Sequence, residues 1–228
     1  MKPPPDSSQD TRQRLLEAAV LLFAQKGFDG VGIREISQKA QANSALVQYY
    51  FGSKEGLYLA AMSFLFDQGI DSVAALPAPP SLDEPEAFAK ALDCLKGYIH
   101  AFLEELFACH DPAKCSRELQ SAAHLFWTRE LMEPAAGRVD IILGHVRPYA
   151  DYLAACIRVL RPDLAEDAQF LMGSSIHAQI MFFHRDMSMI SLLRGSAYGP
   201  QDVGTLATHI SDFSLRGLGL GNTLQGVQ

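Results

Sequence analysis

Apolar residues recur at helical spacing from the first turns of the chain. Leu15, Leu16, Ala19, Val20, Leu22 and Phe23 form an i, i+3, i+4, i+7 stripe. They predict a helix over 11–26, capped by Asp10 or Thr11 and stopped at Gly27. Ile33, Ile36 and Ala40 predict a short second helix over 33–40. A third, over 44–51, begins at a polar cap, Asn43 or Ser44. It divides into a small and polar face (Ser44, Ala45, Gln48, Tyr49) and an apolar one (Leu46, Val47, Tyr50, Phe51). Gly52-Ser53 breaks the chain, and a fourth helix runs from Lys54 to about 73 with Leu57, Tyr58, Ala61, Phe64 and Leu65 apolar.

Pro77-Ala-Pro-Pro80 and Asp83-Glu-Pro85 interrupt helical structure. Beyond them every segment reads as helix: 86–109, 114–132, 136–160 with a break near Pro148, 164–186, 188–193 and 202–218. No segment alternates like a strand between hairpin turns, and no internal repeat is visible. The fold class expected is all-α: an N-terminal three-helix head followed by a larger helical body. Residues 1–10, with three successive prolines, read as a flexible arm, and the Gly-rich tail after 217 as a frayed end.

The third helix carries the chemistry. A helix that enters the DNA major groove needs small residues at its start, so that its backbone can approach the duplex. It also needs an apolar back that anchors it to supporting helices. The helix over 44–51 has both, and the first three helices together read as a helix-turn-helix.

Charge sharpens the picture. The 228 residues carry a net charge of −7, an odd sign for a DNA binder. Residues 1–60, however, hold seven Lys/Arg against six Asp/Glu, and the excess acidity lies after them. Affinity for DNA must then come from a few placed cations and from dimerisation rather than from a broad basic surface. No apolar run reaches the roughly 18 residues of a membrane span, and the N-terminus lacks a signal-peptide core. A soluble, cytoplasmic protein with no membrane partner is expected.

The four cysteines (Cys94, Cys109, Cys115, Cys156) contain no Cys-x-x-Cys pair and read as reduced thiols. No His-x-x-x-His, glycine-rich phosphate loop, Gly-x-Ser-x-Gly or helical Glu-x-x-His pair occurs. No metal site, cofactor or catalytic residue is expected, and the chain is not read as an enzyme. Three other readings stay open from the residues alone: a regulator that responds to metal or oxidant, a small helical enzyme, and a dimeric module that has lost DNA binding. Turnover of a substrate would mark the enzyme, and salt-dependent binding to a palindrome would exclude the module.

The head resembles the TetR family of bacterial one-component regulators. The resemblance rests on Phe23-Ala-Gln-Lys-Gly-Phe28, Val31-Gly-Ile-Arg-Glu-Ile-Ser37, Leu46-Val-Gln-Tyr-Tyr-Phe51 and Ser53-Lys-Glu55. Tyr49-Tyr-Phe-Gly-Ser-Lys-Glu55, Leu57-Tyr-Leu-Ala60 and, more loosely, Phe126-Trp-Thr-Arg-Glu-Leu-Met-Glu-Pro134 are similar to the CecR-type branch. The resemblance implies a helix-turn-helix DNA-binding domain over 11–55, with the fourth helix linking onward, and an effector-binding and dimerisation domain over 86–220. It implies a homodimer bound to a palindromic operator in double-stranded DNA, most often as a repressor, and released by a small molecule. Two positions depart from the family pattern. Gln41 stands where Gly is usual, at a cost of about 1 kcal/mol if the turn is left-handed. Val31 replaces a hydroxyl residue.

For the DNA contact, Ser44, Ala45 and Gln48 are placed for base edges. Asn43, Tyr49, Lys54 and Arg34 are placed for the helix start and the phosphates. For the ligand, Trp127, His177 and Gln179 are the candidate polar and aromatic anchors in an apolar cleft suited to a lipophilic or aromatic effector. Two late helices, 164–186 and 202–218, are the candidates for the dimer bundle.

Overall fold

The computed structural model describes residues 5–67, 73–108, 117–132 and 137–221. Among them there is no strand: ten α-helices and one 3-10 turn account for the regular structure. They divide into two compact units. The first holds α1 (Pro5–Lys26), α2 (Ile33–Lys39), α3 (Ala45–Phe51), α4 (Lys54–Asp67), α6 (Arg117–Met132) and the opening residues of α7 (Val139–Leu160). The second holds α5 (Ala87–Ala108), the rest of α7, α8 (Glu166–Arg185), α9 (Met187–Arg194), the 3-10 turn Pro200–Asp202 and α10 (Val203–Gly217).

The first unit is built on α1, whose stripe of Leu15, Leu16, Ala19, Val20, Leu22 and Phe23 is buried throughout. It packs on Ile36 and Ala40 of the second helix and its cap, Val47 of α3, and Leu57, Tyr58, Ala61 and Met62 of α4. Gly27, at φ +73°, ends α1 and its N–H donates to the Phe23 carbonyl at 2.8 Å. α1 starts at Pro5, so the expected arm over 1–10 is helical from that residue on. Proline needs no N–H partner in a first turn, and Arg14 pairs with Asp10 one turn earlier at 3.2 Å.

α6 also belongs to this unit, although the sequence assigned 86–220 to one body. Leu119, Ala122 and Phe126 are buried against the head, joined by Ile142 from α7. The larger of these, Leu119, Phe126 and Ile142, each contribute about 1.5–3 kcal/mol when fully removed from water. Polar ties reinforce the seam. The Arg129 Nη1 donates to the Phe23 carbonyl at 3.2 Å, and Lys39 meets Glu118 at 3.8 Å.

In the second unit Leu95, Tyr98, Ile99 and Leu103 of α5 are wholly buried among Leu153, Cys156 and Ile157 of α7, Ile176 and Ile180 of α8, and Leu206 and Ile210 of α10. Gly173 of α8 faces α7, where a Cβ would meet Ile157 Cδ1 at 3.4 Å, an ordinary contact. α7 passes through Pro148 without the expected break. Pro148 and Gly144, whose carbonyl loses its helical partner, are both exposed, where water can serve that carbonyl. The expected end of the fourth helix near 73 is not tested, because 68–72 lie outside the described residues.

Candidate nucleic-acid interface and ligand-facing residues

α3 presents its two faces as its sequence requires. Val47 is fully buried, and Leu46, Tyr50 and Phe51 are half-buried behind it. Ser44, Ala45, Gln48 and Tyr49 are all exposed on the other side, Tyr49 at 78 %. The cap is Asn43: its Oδ1 accepts from the Ala45 N–H at 2.9 Å, whereas Ser44 has helical dihedrals and makes no capping bond. The Ser44 hydroxyl is thereby left free of any helix-capping role.

The turn before α3 keeps its left-handed residue. Gln41 has φ +51°. Its N–H donates to the Gln38 carbonyl at 3.1 Å, and the Ala42 N–H reaches back to Ser37 at 2.9 Å. This pair of bonds is the Schellman arrangement that normally takes glycine. The turn therefore retains its geometry with the strain of a side chain in it.

Arg34 is exposed on α2, and its neighbour Glu35 pairs with Lys26 instead. Lys54 opens α4, where Ser53 Oγ caps the Gly56 N–H at 2.9 Å. Its ammonium lies 4.4 Å from the Phe28 ring centroid. That contact was not legible in the sequence, since the two residues meet only through the packing of α4 on the end of α1. Phe28 in turn meets Tyr58 edge-on at 5.2 Å and Phe23 at 6.0 Å.

Of the ligand-facing candidates, His177 and Gln179 meet different neighbours. His177 of α8 faces α5, with Nδ1 3.2 Å from the Tyr98 hydroxyl and its ring stacked on Phe102 at 5.2 Å. Burial holds its pKa below the ordinary histidine value and raises that of Tyr98. Gln179 faces α10: its Nε2 donates to Ser214 Oγ at 3.3 Å. It lines an open apolar cleft of about 370 Å³ with Ala178, Phe182, Phe183, His209 and Phe213. A two-residue step turns a helical side chain by about 200°, which separates the pair. Trp127 falls in α6, in the first unit, and its side chain lies outside the described residues.

Around His177 the structure gathers further aromatic residues, of which Tyr149 was not singled out by the sequence. Tyr149 lies 5.0 Å from Phe102 and donates to Glu105 at 3.4 Å; Tyr152 stacks on Tyr98 at 5.7 Å and donates to the Pro77 carbonyl at 2.9 Å. Among the described residues no group of three or more His, Cys, Asp or Glu side chains could hold a metal ion. Cys94 and Cys156 are buried free thiols, and burial pushes Cys156 up to about 12. Cys109 and Cys115 lie outside the described residues. No helix among those described is long and apolar enough to cross a membrane.

A three-helix head with an exposed third helix, in a chain whose second unit is also all-helical, defines a helix-turn-helix transcription regulator. Residues 15–61 match the family described as bacterial regulatory proteins, tetR family. Residues 95–218 match the C-terminal domain of the HTH-type transcriptional dual regulator CecR. The chain belongs to the TetR family of transcriptional regulators, in which DNA binding and not catalysis is the activity, and its C-terminal domain is of the CecR type.

It is 26% identical over 212 residues to the HTH-type transcriptional repressor NicS of Pseudomonas putida, covering 91% of this chain and 92% of NicS. It is 29% identical over 146 residues to the transcriptional regulator RutR of Escherichia coli, covering 64% of this chain and 59% of RutR. In fold it is similar to HlyIIR, a hemolysin II transcriptional regulator (TM-score 0.53, 18% identity, 90% and 99% covered). A TetR-like regulator from Rhodococcus sp. RHA1 is also similar (TM-score 0.55, 18% identity, 92% and 96% covered).

Proposed function

We propose that this regulator is a ligand-responsive repressor. It binds a palindromic operator as a homodimer and leaves it when a small molecule occupies the second unit. The observation that carries the reading is α3, which exposes Ser44, Ala45, Gln48 and Tyr49 together and buries its back on Val47. Ser44 and Gln48 read base edges, Ala45 meets a thymine methyl, and Tyr49, Arg34 and Lys54 take phosphates, with Asn43 fixing the start of the helix. The protein acts in the cytoplasm, where the bacterial chromosome lies.

The homodimer reading is supported by α8 and α10. Phe170, Leu171, Phe182 and Phe213 are 44–66 % exposed there, an apolar face of the kind that a four-helix bundle covers. The effector reading is supported by the composition of the Tyr98, Phe102, Tyr149 and His177 cluster, packed aromatic rings with a few polar groups, which is chemistry suited to a lipophilic or aromatic molecule. Such a ligand releases DNA only if it prefers the state in which the two α3 helices no longer match one turn of the duplex.

The test is selection of random duplex DNA on the purified protein at two salt concentrations, with the mass of the complex measured. Recovery of a palindrome with half-sites about one helical turn apart, bound by two protomers, is expected. Recovery of no common site, or of a site bound by one protomer, would overturn the reading.

A further inference from the structure

Arg138 stands just ahead of α7, yet its guanidinium lies among side chains of α4, α6 and the turn after α1. Its Cζ is 4.1 Å from the Tyr58 ring centroid and 5.0 Å from that of Phe28. Its Nη1 is 3.1 Å from Oε1 of Glu130, a carboxylate only 2 % exposed. The Tyr58 hydroxyl donates to the same oxygen. Its Nε makes no hydrogen bond and lies 3.6 Å from Oε1 of Glu55. Glu55 directly follows Lys54 at the opening of α4 and is half exposed.

We propose that Arg138 is a positioning residue for DNA binding: it holds and screens Glu55 at the N-terminus of α4, where Lys54 meets the phosphate backbone. The inference rests on reading Lys54 as a phosphate contact. A carboxylate in the first turn of a helix suits that helix, but it repels a phosphate brought to the same place. It can also capture the neighbouring lysine. A mostly buried guanidinium opposes both effects, and salt screens it less than it screens an exposed charge. Only arginine has the reach, because the fork puts Nη1 on Glu130 while Nε faces Glu55. DNA affinity thus depends on a residue far outside the helix-turn-helix, at the junction of α6 and α7. A rearrangement there that withdrew Arg138 would release Glu55 beside Lys54.

The test is a cycle on the full-length protein with its selected operator. Glu130→Gln/Arg138→Met removes both charges of the buried pair, keeps an acceptor for Tyr58, and leaves the net charge unchanged. We expect operator affinity to fall about fivefold at about 0.1 M salt, equally for all base sequences. Adding Glu55→Gln should restore that loss, whereas Glu55→Gln in the unchanged protein should gain less than about twofold. Equal gains in the two backgrounds would overturn the proposal. Should the double variant melt below the assay temperature, Arg138→Lys keeps a charge for Glu130 and loses the reach to Glu55. The Glu55→Gln gain must then exceed that in the unchanged protein, or the proposal falls. If the unchanged protein selects no operator, the reading of Lys54 and the head falls instead.

Discussion

Lys54 lies over Phe28, its ammonium 4.4 Å from the ring centroid. The lysine proposed to meet phosphate is therefore held at the head's surface by an aromatic platform. A pre-placed cation loses less side-chain entropy on contact with DNA than a free one. Lys54→Ala should weaken binding to every DNA sequence alike and lower the salt slope by about one counterion. Phe28→Leu should weaken binding in the same uniform way with the slope unchanged. A shift of base preference in either variant, read by titration across several salt concentrations, would contradict this account.

Gln48→Ala should relax base preference, because its amide is exposed on α3 between Ala45 and Tyr49. A lost amide–base pair costs about 1–3 kcal/mol of discrimination at one position of each half-site. Repeating the duplex selection with the variant checks it; an unchanged consensus would remove Gln48 from the recognition set.

Gln41→Gly should stabilise the head. Gln41 sits at φ +51°, where a side chain costs about 1–2 kcal/mol, and glycine's greater freedom in the unfolded chain offsets part of the gain. The net expectation is about 0.5 kcal/mol of added stability, and a loss of more than 1 kcal/mol for Gln41→Val. Chemical denaturation measures both, and a glycine variant less stable than the parent would rule out strain at this turn.

Stability should fall with acidification partly through His177. Burial lowers its pKa from 6.5, so the folded chain binds its proton less readily than the unfolded one does. Its contribution is whole above 6.5 and is lost as pH falls toward the depressed folded value. His177→Gln keeps an acceptor for Tyr98 and should flatten the melting midpoint against pH in the acid range. Parallel curves for parent and variant would show that His177 titrates alike in both states.

Phe182→Asp with Phe213→Asp should yield monomers and abolish tight operator binding while leaving helix content unchanged. Both rings are exposed in the single chain, at 44 % and 60 %, so charging them costs little without a partner. Sedimentation read beside circular dichroism distinguishes the outcomes; a dimer of the charged variant would move the interface elsewhere.

The head was legible because each of its signals is local. The stripe from Leu15 to Phe23, the Gly27 stop, a cap at Asn43 or Ser44 and the two faces of α3 can all be read from residues within a few turns of one another. Gln41 was legible as a site of strain for the same reason. The partner of α6 was not. Leu119, Ala122 and Phe126 declare a buried face at helical spacing, but that pattern is the same whichever helix covers it. Lys54 on Phe28 and Arg138 beside Glu55 are tertiary meetings, with no sequence signal beyond the residue types. His177 and Gln179 were grouped because both are polar on an apolar helix, yet a two-residue offset sends them to different neighbours.

The docking of α6 on α1 bears on how regulators of this kind can be recombined. A head cut from this protein at the end of α4 would carry with it an empty socket where Leu119, Ala122 and Phe126 belong. What can be transplanted as a working reader of DNA is a discontinuous piece: the first four helices together with the α6 segment and the opening of α7. Chimeras joined at the loop after α4 should aggregate or melt early, and those that also exchange 117–143 should inherit both the operator and the stability of the donor.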